Sequence, residues 1–272
     1  MNNRIKIKMR KWLKWLVIVY VCIGIALYFL QNLFLFHPVH LARNYQYHFN
    51  VPFKEYDIPF NTKDTINMVK FFPADSLRKG VVIYFHGNKG NINRYAKFAA
   101  NFTKHGYEVW MEDYPGFGKS TGTRNEKVLY RQAKQIYALA TAAFPANNIV
   151  VYGKSFGTGI AAYLASTQQC SQLILETPYY SIADLFGCYA PIYPVSAMTD
   201  YTIPSNEYLA KIKVPVTIFH GTSDGVIPYS CASRLKTVLK PTDQFITIQN
   251  GTHHNLNEYA LFHQKLDSLL LQ

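Results

Sequence analysis

The chain has 272 residues, 49% of them apolar and only 16% charged, so it is long and apolar enough to bury one sizeable core and is not a disordered polypeptide. Its net charge of +12 raises the question of nucleic acid, but Arg4, Lys6, Lys8, Arg10, Lys11 and Lys14 all precede the rest of the chain, where 22 basic and 16 acidic groups leave +6 without a dense run. Phosphate affinity needs clustered charge, so no nucleic-acid partner is expected.

After the basic run, Trp15 to Leu30 holds no charged residue, and Leu33–Phe36 continues the apolar character past Gln31 and Asn32. About 20 residues at 1.5 Å each cover the ~30 Å core of a bilayer. Trp12 and Trp15 stand where interfacial aromatics lie, and no small-x-small cleavage site follows, as a removed signal peptide would need. The expectation is a basic cytoplasmic tail over 1–14, a transmembrane signal-anchor helix over 15–36, a connecting segment over 37–53 and a catalytic domain over 54–272. The positive-inside bias puts the N-terminus in the cytoplasm and the catalytic domain on the exported, periplasmic or extracellular side, with the lipid bilayer as partner.

Beyond the span, Glu55–Phe60 and Thr65–Phe72 predict two strands joined by a polar turn. Val81–Phe85 is a continuous apolar run, the pattern of a strand buried on both faces. Alternation follows: helix over Asn91–His105, strand over Tyr107–Met111, helix over Arg124–Phe144, strand over Ile149–Tyr152, helix over Phe156–Thr167, strand over Leu173–Leu175. Val214–Phe219 and Phe245–Ile248 predict further strands, with helices near Ser230–Leu239 and Asn257–Leu270. Such alternation means an α/β fold with a mostly parallel, doubly wound sheet. One stretch breaks the rhythm: about 178–208 is long, aromatic and interrupted by Pro191, Pro194 and Pro204, which predicts a cap or lid.

Three cysteines outside the apolar segment (Cys170, Cys188, Cys231) are widely spaced and form no CxxC or Cys/His ligand pattern. Neither a metal site nor a disulfide framework is expected, although a single bridge can form.

The chemistry concentrates at Gly153-Lys154-Ser155-Phe156-Gly157, between a short buried strand and a helix. In that context G-x-S-x-G is a nucleophile elbow: Gly153 and Gly157 permit a sharp turn that lifts the Ser155 oxygen above the sheet. A serine nucleophile needs a base, and the base an orienting acid, in the order Ser, Asp, His for this architecture. Asp224 follows a strand, at the end of a sheet where open α/β folds place their sites. His253 and His254 both follow the strand Phe245–Ile248; His253 is favoured on strand-to-loop spacing, with His254 the alternative. The backbone N–H groups of Asn88, in the His86-Gly87-Asn88 loop, and of Phe156 are the candidate oxyanion donors. Gly118-Lys119-Ser120 and Gly153-Lys154-Ser155 lack the glycine five positions earlier that a phosphate-binding loop requires, having Asp113 and Asn148 there. Gly157-Thr158-Gly159 with Ala162 falls inside a helix, so no nucleotide and no cofactor is implied.

Tyr84–Asn91, Asp113–Ser120, the elbow and His220–Pro228 together resemble the α/β-hydrolase superfamily over about residues 54–271, and within it the membrane-anchored α/β-hydrolase domain proteins. The resemblance implies ester or thioester hydrolysis, including removal of fatty-acyl groups from lipids or proteins. The chain departs from the family's His-Asn-Asp pattern by reading His253-His254-Asn255. Two other readings stay open: a peptidase on the same fold, and a catalytically inactive membrane-tethered binding protein.

Overall fold

The structure is a computed structural model describing residues 3–74 and 78–271; Met1 and Asn2 of the basic tail lie outside it. Among these residues eight strands form one sheet. They are β1 (Phe53–Pro59), β2 (Thr65–Phe71), β3 (Gly80–Phe85), β4 (Tyr107–Glu112), β5 (Ile149–Lys154), β6 (Gln172–Glu176), β7 (Val216–Gly221) and β8 (Gln244–Ile248). Their order across the sheet is β8-β7-β6-β5-β3-β4-β2-β1. All neighbours are parallel except β2, which runs antiparallel to both β1 and β4.

The continuous apolar strands divide their side chains between two cores. Val81, Ile83 and Phe85 of β3, with Ile149 and Val151 of β5, enter the core on one face. Val82 and Tyr84, with Val150 and Tyr152, enter the other. This period of two is what a pleated strand buried on both sides requires. Helix Glu126–Ala143 covers the first face with Leu129, Ala133, Ile136 and Ala140, and the Asn125 side chain caps it by accepting the Val128 N–H at 2.9 Å. Helix Ala260–Leu271 covers the second with Phe262, Leu266 and Leu270.

Two helical expectations come out shorter than predicted. The region 91–105 is split into Ile92–Tyr95, a 3-10 turn at Ala96–Phe98 and Ala100–Thr103, and the region 230–239 into Tyr229–Ala232 and the 3-10 segment Ser233–Val238. The aromatic insertion also divides. Helix Ile182–Tyr189 packs on the body through Ile182, Leu185 and Phe186, the turn Val195–Met198 buries no residue, and Tyr201 and Ile203 are buried in the first core. Cys188 of the insertion is disulfide-bonded to Cys231 of the body.

The N-terminal helix runs unbroken from Asn3 to Leu35, so the basic segment and the apolar segment are one element. It is long and apolar enough to cross a membrane, and its most apolar 18-residue stretch is buried nowhere in the fold. One stripe of this helix meets the insertion. Tyr20 stacks on Tyr193 at 4.6 Å between ring centroids, and its hydroxyl donates to the Ile192 carbonyl at 2.9 Å. Further along, Gln31 accepts the Asp200 N–H at 2.8 Å, and the Tyr201 hydroxyl donates to Asn32 Oδ1 at 3.0 Å.

The segment after the helix is no free tether. His37–Pro38 pairs with Lys89–Gly90, and the Leu41 N–H donates to the Gly118 carbonyl at 2.8 Å. Both contacts fall on loops at the C-terminal edge of the sheet. The helix end, the insertion and the loops that carry chemistry therefore form one packed region.

Candidate active site

Ser155 sits between β5 and helix Gly157–Thr167 with φ of 53°, a left-handed conformation that L residues other than glycine adopt at a cost. Its N–H donates to the Glu176 carbonyl and its carbonyl accepts from the Thr158 N–H, at 2.8 and 2.9 Å. These bonds, with the packing below, hold the strained turn. A Cβ at Gly153 would lie 2.6 Å from Thr158 Cα, and one at Gly157 would overlap the Phe85 carbonyl oxygen. The tight strand-to-helix crossing has room for glycine alone at those two positions.

The loops after β7 and β8 are bonded to each other. The Thr222 N–H donates to the Ile248 carbonyl at 3.0 Å and the Ser223 N–H to the Gly251 carbonyl at 2.9 Å. The Asn250 N–H donates to Thr222 Oγ1 at 2.8 Å, and Asn255 Oδ1 accepts both the N–H and the hydroxyl of Thr252. Asp224 and His253 are thus delivered by one stitched unit. His253 Nδ1 lies 2.8 Å from Asp224 Oδ2, and His253 Nε2 lies 2.8 Å from Ser155 Oγ. All three residues are buried. The structure brings together the serine, the acid and the first of the two histidines.

Burial raises the Asp224 carboxyl, but the hydrogen bond and charge of His253 and the N–H groups of Ile227 and Val226 outweigh it, so the group sits below its ordinary range. An ionised Asp224 fixes the Nδ1–H tautomer of His253 and leaves Nε2 free to accept the serine proton. His254 is exposed and turns its ring edge-on to His253 at 5.1 Å. Partial burial, followed by the neighbouring His253, lowers its pKa. His220 is fully buried with Nε2 3.7 Å from Asp224 Oδ2, a second imidazole behind the acid.

The loop after β3 approaches Ser155 through Gly87, where a Cβ would lie 3.4 Å from Ser155 Cβ and 2.7 Å from the Tyr95 hydroxyl. His86 is fully buried between Tyr95 and Tyr114, its Nε2 3.3 Å from Asp113 Oδ1. It supports the loop and does not reach the serine's partners. Asn88 follows, tied down by the His37 N–H on its carbonyl and by its own side chain on the Leu35 carbonyl. Phe156, after the serine, opens the elbow helix, whose positive end faces the turn.

Two contributors carried no motif. Tyr95, buried beside Gly87, shapes the approach to Ser155, and only its helical spacing from Ile92 marked it as inward-facing. Phe36, at the end of the apolar N-terminal run, packs against Phe156, Phe117 and Tyr201. Its signal was the apolar character of Leu33–Phe36 itself, which reads equally as membrane.

The family described as serine aminopeptidase, S33, matches residues 77–203, a span that includes Gly87, Asn88 and Ser155 and ends before Asp224 and His253. An esterase of Pyrococcus furiosus superposes on 87% of this chain and 96% of its own with a TM-score of 0.66 at 17% identity. The sheet order and this superposition show the α/β-hydrolase fold. In sequence the chain is 28% identical over 193 residues to alpha/beta hydrolase domain-containing protein 17C of Xenopus tropicalis, a match covering 70% of this chain and 61% of that one. An uncharacterized protein of Mycobacterium tuberculosis is 26% identical over 203 residues, 73% of this chain and 72% of its own.

Proposed function

We propose that this chain, with its α/β-hydrolase fold, is a membrane-anchored serine hydrolase that cleaves carboxylic ester or thioester bonds of acylated or lipidic substrates. The observation that carries the reading is the relay from Ser155 Oγ through both nitrogens of His253 to Asp224, with each link at 2.8 Å. In the mechanism, His253 Nε2 takes the Ser155 proton as Oγ attacks the substrate carbonyl. The backbone N–H groups of Asn88 and Phe156 stabilise the oxyanion. His253 then returns the proton to the leaving alcohol or thiol. Water, deprotonated by the same imidazole, releases the acid from the acyl-enzyme and regenerates the serine.

The exposed apolar helix supports anchoring in a bilayer, and the basic residues before it are the reason for reading the N-terminus as cytoplasmic and the catalytic domain as exported. The Cys188–Cys231 bridge fits an oxidising compartment. The description of the matching family as an aminopeptidase supports one second reading, peptide hydrolysis by the same residues. Turnover of p-nitrophenyl esters, acyl thioesters and aminoacyl p-nitroanilides by the detergent-solubilised full chain distinguishes them. Ester or thioester turnover that Ser155→Ala abolishes supports the proposal, and turnover of the anilides alone overturns it in favour of the peptidase.

A further inference from the structure

Between the N-terminal helix and the insertion lies a cavity of about 460 Å³, within the range of small-molecule sites. Leu27, Phe34 and Leu35 of the helix form one wall, and Phe186, Val195 and Met198 of the insertion form the opposite one. Among the described residues, no charged side chain lines it.

The cavity touches the catalytic loops on two sides. Asn88 lines it, one residue beyond the Gly87 that faces Ser155. Gly225 and Val226 also line it, and the Val226 N–H donates to Asp224 Oδ1 at 2.8 Å. Its other boundary is the helix that presents apolar surface over most of its length, with Phe29 and Leu33 outward beside the lining residues. The insertion adds Tyr189, which lines the cavity and is 59% exposed. An apolar chamber that runs from the catalytic loops to an apolar exterior matches a long apolar group attached to a reacting carbonyl.

We propose that this cavity binds the fatty-acyl chain of a bilayer-resident ester or thioester, and that the N-terminal helix is a wall of the acyl site as well as an anchor. The inference rests on the serine-hydrolase reading above and locates the site that takes the acyl chain. The chain enters sideways from the bilayer between helix and insertion, and its carbonyl meets Ser155 beside Asn88. Each methylene added within the cavity is worth about fourfold in kcat/KM, the ordinary gain for apolar burial. Residues of the anchor thereby set chain-length preference, which a helix acting only as a tether would not do.

The test uses the full chain in detergent micelles of one composition, with even-numbered p-nitrophenyl esters from acetate (C2) through dodecanoate (C12) to hexadecanoate (C16). Leu27→Trp fills the cavity from the helix, Val195→Trp fills it from the insertion, and Leu30→Trp changes the helix outside the lining. The expected result is a fall of tenfold or more in the C12-to-C2 ratio of kcat/KM for both filling variants and none for Leu30→Trp. An unchanged ratio in both filling variants overturns the inference. Phe34→Ala, which removes bulk, covers the case in which a tryptophan variant fails to fold: the optimum chain length should move upward, and an unmoved optimum also overturns it. A wild-type chain that hydrolyses C2 without favouring C12 contradicts this inference alone. A chain that hydrolyses no ester contradicts the hydrolase reading beneath it.

Discussion

Phe36, the first residue beyond the N-terminal helix, packs its ring edge-on against Phe156, the residue after Ser155, with centroids 4.9 Å apart. Burying a ring of this size stabilises the packed state by about 1.5–3 kcal/mol, and Phe36 is 3% exposed. The end of the apolar helix is therefore tied to the elbow itself. A helix joined in this way orients the catalytic loops relative to whatever surface it occupies.

The relay distinguishes two adjacent histidines sharply. His253→Ala removes the group between Ser155 and Asp224, and kcat should fall by about a thousandfold or more, since serine is a poor nucleophile without its base. His254→Ala removes an exposed ring and should change kcat by less than about tenfold. Steady-state kinetics on a soluble ester compare the two, and the reverse ranking would assign the base to His254.

Glu112 predicts a pH dependence of stability. Both carboxyl oxygens are buried among the described residues without a hydrogen-bond partner. Burial, with the nearby Asp113 charge second, pushes its pKa up to about 8. The folded chain thus keeps a proton that the unfolded chain releases near pH 4.5. The folded pKa is the higher one, so this contribution is fully present below about pH 4.5 and is lost as pH rises through about 8. Glu112→Gln should shrink the fall in Tm between pH 5 and pH 8.5, measured by thermal unfolding. A fall as steep as in wild type would refute the assignment.

The bridge between Cys188 and Cys231 ties the insertion to the body across 43 positions of sequence. With the domain exported as proposed, both thiols should resist alkylation until a reductant is added, which mass spectrometry of the alkylated chain reads directly. Cys170, buried and with its pKa pushed up to about 12 by that burial, should stay unmodified in the native state under either condition. Free alkylation of Cys188 without reductant would contradict both the bridge and the exported location.

The parallel strands were legible because burial on both faces leaves continuous apolar runs, and Val81–Phe85 fell within one residue of β3. The loops bearing Ser155, Asp224 and His253 were legible because each follows such a strand. His253 and His254 share every local sequence pattern as adjacent loop residues, and it is in the folded loop, where Thr252 is bonded to Asn255, that one ring is buried and the other exposed. The insertion is part surface and part core. Tyr201 and Ile203 belong to the core because they pack near the elbow helix, where proline-broken sequence carries no periodicity. Contacts such as Tyr20 on Tyr193 join apolar surfaces far apart in the chain and leave no local trace. An apolar helix reads the same whether lipid or protein covers its stripe.

The central claim is that Ser155 is the nucleophile. Its most direct test is to treat the full chain with a fluorophosphonate and map the adduct by tandem mass spectrometry. The account predicts one stoichiometric adduct on Ser155, absent from Ser155→Ala and strongly slowed in His253→Ala. An adduct on another serine, or equal labelling of the Ser155→Ala chain, would contradict it.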